Sequence, residues 1–102
     1  MPDRLIERLA LLNTKECLWM YILRILSDRP AHAYSLRGEI ERRFGFRPGA
    51  VTAYRVLYFL TSRGYVKNKA DGRRKVYEIT DAGKGELKKA VGFYSGQLKA
   101  LS

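Results

Sequence analysis

The sequence predicts a mainly α-helical fold of the α+β class, with five helices and one β-hairpin in a chain of 102 residues. Apolar residues recur at helical spacing over most of the chain, and Asp71-Gly72 separates two strand-like segments. The segment after this hairpin carries apolar residues in alternating steps of three and four. A chain of this length has room for one compact core, which its 46% hydrophobic residues are sufficient to form.

The first two helices are predicted over 3–12 and 14–27. The first helix carries one apolar stripe, formed by Leu5, Leu9 and Leu12. Asn13 and Glu16 have the spacing of a capping box, so we expect them to open the second helix. The inward-facing residues of the second helix are predicted to be Cys17, Leu18, Tyr21, Ile22 and Ile25. Pro30 should stop the chain from continuing as a helix.

The next two helices are separated by a short turn. The third is predicted over 33–44, followed by Gly45, since glycine adopts the left-handed backbone that often ends a helix. Its apolar residues are Tyr34, Leu36, Ile40 and Phe44. The fourth is predicted over about 49–63, with Pro48 at its start. Its core-facing residues are predicted to be Ala50, Ala53, Tyr54, Leu57 and Leu60. Two helices with this spacing resemble a helix-turn-helix.

The hairpin that follows makes this interpretation more specific. With Asp71-Gly72 as the turn, one face of the hairpin holds Val66, Tyr77 and Ile79. The other face holds Lys67, Lys69 and Arg74. An apolar underside with a basic tip, directly after a helix-turn-helix, is typical of a wing. The predicted architecture is therefore a winged helix-turn-helix over 1–80.

The last helix is predicted over 81–102, with Thr80 as its N-cap. Its apolar seam consists of Leu87, Val91, Tyr94, Leu98 and Leu101. A helix of about 20 residues is about 30 Å long, similar to the diameter of a small domain, so its outer end is hard to cover within one chain. We expect a homodimer in which this helix and the leucine stripe of the first helix are buried between subunits.

The charge is concentrated in one region. Lys and Arg exceed Asp and Glu by ten, and 47–75 alone contains eight cations and one acidic residue. This predicts a polyanionic partner, either nucleic acid or an anionic membrane surface. No apolar run reaches the roughly 18 residues of a membrane span, and the N-terminus lacks the pattern of a signal peptide, so we expect a cytoplasmic protein without a membrane partner.

The residue inventory argues against an enzyme. Cys17 is the only cysteine and His32 the only histidine, so a disulfide within the chain is excluded and these two residues alone cannot form a structural zinc site. The sequence shows neither paired carboxylates nor a phosphate-binding glycine loop. We expect no cofactor and no metal.

Several segments resemble the PadR family of winged-helix regulators, in its short-tailed form. They are Ala33-Tyr34-Ser35-Leu36, then Tyr54-Arg55-Val56-Leu57 with Gly64-Tyr65-Val66, and the stretch from Gly72-Arg73-Arg74-Lys75 to Thr80-Asp81-Ala82-Gly83. The chain departs from many relatives at Ala33, where they have glycine, and at Arg55, where they have proline. The resemblance implies transcriptional regulation, with repression as the expected mode, and dimers formed through the terminal helix. Some relatives bind small molecules between subunits, and Trp19 and Phe93 are the candidates for lining such a space here, although ordinary packing is the favoured role for each.

The expected DNA contacts come from the fourth helix and the wing. Thr52 and Arg55 are the candidates for base edges, since the start of such a helix enters the major groove and arginine pairs with guanine. Arg47 is the candidate for a phosphate. Tyr54 is either a core aromatic or, as the resemblance implies, a phosphate contact, and both can hold together. The basic wing residues that could reach phosphates or the minor groove are Lys69, Arg73, Arg74 and Lys75.

Three alternatives remain at this point. The wing cations could serve solubility alone. The same fold and charge would suit an architectural protein that coats nucleic acid without sequence preference. A protein–protein adaptor is the third, although the cationic region argues against it.

Overall fold

The computed structural model describes residues 4–102, so Asp3, the predicted start of the first helix, lies outside the described residues. The elements are α1 (Arg4–Asn13), a 3₁₀ turn (Lys15–Cys17), α2 (Leu18–Leu26), β1 (Ala31–His32), α3 (Ala33–Phe44), α4 (Ala50–Ser62), β2 (Val66–Asp71), β3 (Arg74–Ile79) and α5 (Asp81–Leu101). The helices α3 and α4 form the helix-turn-helix, and β2 and β3 form the wing. The predicted mainly helical α+β class and winged helix-turn-helix architecture are confirmed.

The start of the second helix differs from the prediction. Asn13 is the last residue of α1, and its side-chain amide donates to the Leu9 carbonyl (2.7 Å). The chain then passes through the 3₁₀ turn, and α2 begins only at Leu18. The predicted capping box of Asn13 and Glu16 is therefore wrong. The physical reason is tertiary, because the Asn13 side-chain oxygen accepts a hydrogen bond from the hydroxyl of Tyr94, which lies far along the chain.

The two strands of the wing pair in a register that is shifted by two residues from the predicted one. Asp71 lies opposite Arg74, so the two loop residues are Gly72 and Arg73. Gly72 has a φ of 64°, and no other residue type has a positive φ within 4–102. In the observed turn only Gly72 has a positive φ, as in a type II′ turn. A type I′ turn at Asp71-Gly72 would also require a positive φ at Asp71, which is unfavourable for a residue with a side chain. Because the shift is two residues, each side chain stays on its predicted face.

A third strand was absent from the predicted elements. Ala31 pairs with Tyr77 and His32 with Val76, which adds β1 to the sheet in the order β1-β3-β2. Two residues between a proline and a helix are too few to show the alternation that predicts a strand. Because α3 begins directly after β1, this pairing holds the N-terminus of α3 against the wing.

One core joins the helices and the underside of the wing. Its largest fully buried side chains are Leu18, Ile22, Leu23 and Leu26 of α2, Leu36 and Ile40 of α3, Leu57 and Leu60 of α4, and Val66 of β2. Tyr77 and Ile79 of β3 are also buried, as the hairpin pattern predicts. Cys17 and Tyr21 are half-buried. The core therefore forms within one chain.

The chain makes a close approach at the junction between the wing and α5. Thr80 caps α5 as predicted, since its hydroxyl oxygen accepts from the Gly83 N–H at 3.1 Å. Gly83 is buried, and a Cβ there would overlap the Tyr65 carbonyl oxygen and lie 2.8 Å from Ile79 Cγ1. The Tyr65 carbonyl in turn accepts from the Thr80 N–H at 3.1 Å. Only glycine allows the first turn of α5 to sit this close beneath the wing.

Candidate nucleic-acid interface

The helix α4 turns one side to the core and the other to solvent. Ala53, Leu57 and Leu60 are buried at successive turns. Thr52 and Arg55 are exposed on the remaining surface, as expected for a helix that rotates about 100° per residue. Arg55 forms no ion pair with any residue of 4–102. Its guanidinium group is therefore free to bind a ligand.

The turn between α3 and α4 positions this surface. Gly45 ends α3 with a φ of 80°. Phe46 then packs edge-on against Tyr21, with ring centroids 5.1 Å apart. Arg37 Nε donates to the carbonyl of the buried Pro48 at 2.9 Å. An aromatic contact and a hydrogen bond together hold the start of α4 against the rest of the helix-turn-helix.

Two residues of α4 predicted to face the core, Ala50 and Tyr54 (55% exposed), are exposed instead. Tyr34, an apolar residue of α3, is also exposed (58%). The buried arc of α4 is narrow, so Ala50 and Tyr54 lie outside it. Tyr34 follows the buried Ala33 in the first turn of α3. Both tyrosine rings line a cleft beside the wing.

This cleft has a volume of about 500 Å³ and lies between α4, the start of α3 and the wing. The wing contributes three cations, Arg73, Arg74 and Lys75. The aromatic residues of its wall are His32, Tyr34, Tyr54 and Tyr77. None of its lining residues is acidic. A basic cleft with hydroxyl groups in its wall is suited to an anion, since both kinds of group donate hydrogen bonds.

The cationic side chains of the wing differ in whether they form an ion pair or a hydrogen bond within the chain. Lys69, Arg73 and Lys75 are exposed and form no ion pair within 4–102. Arg74 Nη1 donates to the Tyr34 hydroxyl at 3.1 Å. Lys67, in contrast, lies 3.1 Å from a carboxylate oxygen of Glu78. The predicted wing residues therefore present cationic groups that no carboxylate of the described chain neutralises.

Arg47 is placed differently from the other predicted contacts. Its guanidinium lies 3.0 Å from the Glu41 carboxylate, and both side chains are about half exposed. A phosphate would have to displace Glu41 to bind there. Of the predicted DNA-binding cations, Arg47 is the one whose charge is neutralised within the described chain.

A family model for the transcriptional regulator PadR-like family matches residues 22–89. The chain belongs to this family. The match covers the helix-turn-helix, the wing and the first part of α5, and the family consists of transcriptional regulators rather than enzymes. No curated protein matches the sequence significantly.

Solved structures share the PadR-like fold. A transcriptional regulator from Clostridium thermocellum is 20% identical with a TM-score of 0.76, covering 81% of this chain and 87% of that one. A PadR family regulator from Clostridium difficile is 21% identical with a TM-score of 0.75, covering 81% and 92%. Bacillus subtilis PadR, solved with operator DNA, is 24% identical with a TM-score of 0.65, covering 76% and 48%.

Two helices of this PadR-like chain, α1 and α5, expose apolar side chains. We call these residues together the α1–α5 surface; they are Leu5, Leu9 and Leu12 of α1 and Val91, Leu98 and Leu101 of α5. Leu5 is 82% exposed and Leu101 is 85% exposed. None of the ten residues of α1 is buried. The other two residues of the predicted α5 seam are partly buried within their own chain. Leu87 is half-buried against the core, and Tyr94 is half-buried as well.

Asn13 links the elements that carry the apolar surface. The Tyr94 hydroxyl of α5 donates to its side-chain oxygen, and the Tyr21 hydroxyl of α2 donates to its backbone carbonyl. Burial, and then the neighbouring Cys17, raises the pKa of each tyrosine above its ordinary value, which favours the protonated form that donates these hydrogen bonds. No sequence pattern predicts this cluster, because Tyr94 lies far from Asn13 and Tyr21 in the chain.

The two candidates for an effector site are separate within one chain. Trp19 lines a cleft of about 190 Å³ between α2, α4 and α5, together with Phe59, Tyr65 and Glu86. Phe93 is exposed on α5. Among the described residues no cluster of His, Cys, Asp and Glu could hold a metal ion.

Within the described part of the chain, none of the helices combines the length and the apolar character required to span a membrane.

Proposed function

We propose that this chain is a sequence-specific DNA-binding transcriptional regulator that acts as a homodimeric repressor. The observation that carries the proposal is that α4 and the adjoining wing both expose cations without a carboxylate partner in the described chain. The Bacillus subtilis PadR structure with operator DNA supports DNA as the polyanion. A dimer bound to an operator would exclude other proteins from that site, which is why we propose repression.

Each group has a proposed role. Arg55 and Thr52 read base edges in the major groove, Arg55 through its two-pronged guanidinium on guanine. The wing cations bind phosphates or enter the minor groove; they are Lys69, Arg73, Arg74 and Lys75. Tyr54 donates its hydroxyl to a phosphate from the wall of the cleft. Arg47 binds a phosphate only after it leaves Glu41.

The proposed dimer buries the α1–α5 surface. Exposed leucines on two helices are costly in water, and a second copy offers the same apolar side chains in return. In this arrangement 1–80 is the DNA-binding domain, and 81–102 is the dimerisation helix, which holds the subunits together with the help of α1. A small-molecule effector would bind between the subunits, near Trp19 or Phe93. We place the regulator in the cytoplasm, where its single cysteine suits a reducing environment.

The test is selection from a random duplex pool at two salt concentrations. A specific dimer should enrich a two-fold site with half-sites about 10 base pairs apart. Arg55→Ala should weaken binding to that site about tenfold or more, since a bidentate base contact is lost. The control is Arg63→Ala, which removes the same charge where the helix ends and the guanidinium stacks on Phe59; it should change binding much less.

Two results would contradict the proposal. Binding that depends on salt but enriches no sequence would favour an architectural nucleic-acid-coating protein. If the protein binds no duplex even at low salt, DNA is not its partner, and the wing cations serve solubility.

A further inference from the structure

The guanidinium of Arg74 is held in place by a residue of another element. Its Nη1 donates to the Tyr34 hydroxyl at 3.1 Å, and its central carbon lies 4.7 Å from the centre of the Tyr34 ring. Arg74 begins β3 of the wing, whereas Tyr34 lies in the first turn of α3. The same tyrosine therefore contacts the guanidinium through both its ring and its hydroxyl, which fixes the orientation of the group.

Tyr34 is itself supported by the only histidine. The His32 and Tyr34 rings are stacked, with centroids 6.1 Å apart and planes 22° apart. His32 Nδ1 donates to the Lys75 carbonyl at 3.2 Å, and its Nε2 lies 3.3 Å from an Asp71 carboxylate oxygen. These contacts connect the start of α3 to both strands of the wing.

This support lies at the edge of the basic cleft. Arg74 and Tyr34 both line the cleft, and Tyr54 of α4 lines it too. An exposed arginine ordinarily loses considerable rotamer freedom when it binds a ligand. Because Tyr34 already holds Arg74, much of this loss of rotamer freedom occurs when the protein folds. The guanidinium N–H groups that do not donate to Tyr34 remain available to bind an anion.

We propose that Tyr34 is a positioning residue for DNA binding: it holds Arg74 so that Arg74 and the Tyr54 hydroxyl bind one backbone phosphodiester in the cleft. The inference rests on the proposed function, since it takes DNA as the ligand. It adds that the wing binds the backbone as a preformed part of the domain, and that Tyr34 acts through Arg74 rather than on DNA itself.

A double-mutant cycle on duplex affinity tests the inference, using the site recovered by selection. Arg74→Ala should weaken binding about tenfold, as expected for loss of a charge-assisted hydrogen bond. Tyr34→Ala should weaken it about threefold to tenfold, because the cation remains but loses its orientation. The double variant should bind no more weakly than Arg74→Ala alone, since Tyr34 has nothing left to position.

Two matched variants separate positioning from a general structural effect. Arg73 lines the same cleft, and its exposed side chain makes no ion pair within 4–102; Tyr34→Ala and Arg73→Ala should therefore have independent, multiplicative effects. Tyr34→Phe keeps the ring beneath the guanidinium and should fall between wild type and Tyr34→Ala. Thermal melts of each variant confirm that the protein measured is folded.

The outcomes distinguish this inference from the proposed function. If wild type binds the selected duplex but the effects of Tyr34→Ala and Arg74→Ala multiply, Tyr34 contacts DNA independently and the positioning role is overturned. If Tyr34→Ala leaves affinity unchanged, it is overturned as well. If wild type binds no duplex, DNA binding itself fails, and the role of Tyr34 fails with it.

Discussion

Two exposed surfaces of this chain differ in their chemistry: the α4–wing surface, which consists of Thr52, Arg55, Lys69, Arg73, Arg74 and Lys75, and the α1–α5 surface. On the first, Arg55, Lys69 and Arg73 are exposed cations, and Arg73 lines the cleft whose wall contains tyrosine hydroxyls and aromatic rings. On the second, leucines such as Leu5 and Leu101 are more than four-fifths exposed. Exposure alone therefore does not distinguish the surfaces; the side chains do. Cations bind a polyanion, whereas leucines gain most from another apolar surface.

The two surfaces also differ in how they are supported. The α4–wing surface rests directly on the core, since Leu57, Leu60 and Tyr77 lie beneath it. The α1–α5 surface extends beyond the core, with Asn13 as a polar link between its helices. We infer that the first can be preformed in a single chain, whereas the second becomes well packed only when a partner covers it.

The largest expected effect comes from placing a charge on the apolar surface. Leu98→Glu should convert the proposed dimer into a monomer, because two carboxylates would be buried between subunits. Affinity for a two-fold site should fall about a hundredfold when the two half-sites are no longer bound together. Light scattering and duplex titration measure these effects. The core lies within one chain, so the variant should remain folded.

The matched control is Gln97→Glu, which adds the same charge at the neighbouring exposed position. It should leave both mass and affinity unchanged. If Leu98→Glu remains dimeric, or if both variants dissociate alike, the apolar stripe is not the interface.

The next effect tests the junction between the two surfaces. Gly83→Ala places a Cβ against the Tyr65 carbonyl beneath the wing. It should lower the free energy of unfolding by about 1–3 kcal/mol. Each kcal/mol corresponds to a melting temperature lower by about 4–8 °C in a domain of this size. Calorimetry measures the change.

Gly85→Ala provides the control two residues further along α5. A Cβ at Gly85 meets no atom within 4 Å. Replacing an exposed helical glycine should therefore stabilise the protein by about 0.5–1 kcal/mol. Equal changes at the two positions would show that the close approach at Gly83 does not constrain the fold.

A smaller effect separates the free wing cations from the paired one. Lys69→Ala should reduce the slope of log affinity against log salt by about one and weaken all duplexes alike, as expected for a single phosphate contact. Lys67→Ala should change the slope less, because Lys67 already pairs with Glu78. Titrations at several salt concentrations compare the two. Equal slopes for both variants would contradict the distinction.

The smallest effect lies outside both surfaces. Hydrogen bonds from Arg24 and Arg43 lower the pKa of Asp28 below its ordinary value. A carboxyl whose pKa falls on folding stabilises the protein above its unfolded pKa, and the benefit disappears as the pH drops through the folded pKa. Asp28→Asn should therefore have a slightly lower melting temperature than wild type at neutral pH and the same melting temperature in acid. The difference should be small, because the ion pairs of Asp28 with Arg24 and Arg43 are exposed.

Thermal melts across pH measure this difference, and duplex affinity and mass should stay unchanged. A difference that persists unchanged in acid would show that Asp28 does not act through its charge.

Local sequence patterns predicted most elements of this fold. The bounds of α3 and of α5, the Thr80 cap and the buried face of the hairpin follow from periodicity and turn chemistry, and the structure has them. The free cations of the predicted interface are also present, except that Glu41 neutralises Arg47. These features depend on residues close together in the chain, where spacing alone carries the information.

Other features depend on residues that only the tertiary structure brings together. The Tyr94 hydroxyl occupies the oxygen of Asn13 that would have capped α2, and β1 exists because β3 lies beside it. The cleft that Tyr34 and Tyr54 line forms only where α3, α4 and the wing come together. The sequence by itself determined the number and order of the helices, the presence of the wing and the cationic region, because each follows from local spacing and charge. Only the tertiary structure decided which cation rests on which ring, because that contact joins residues that no local pattern relates.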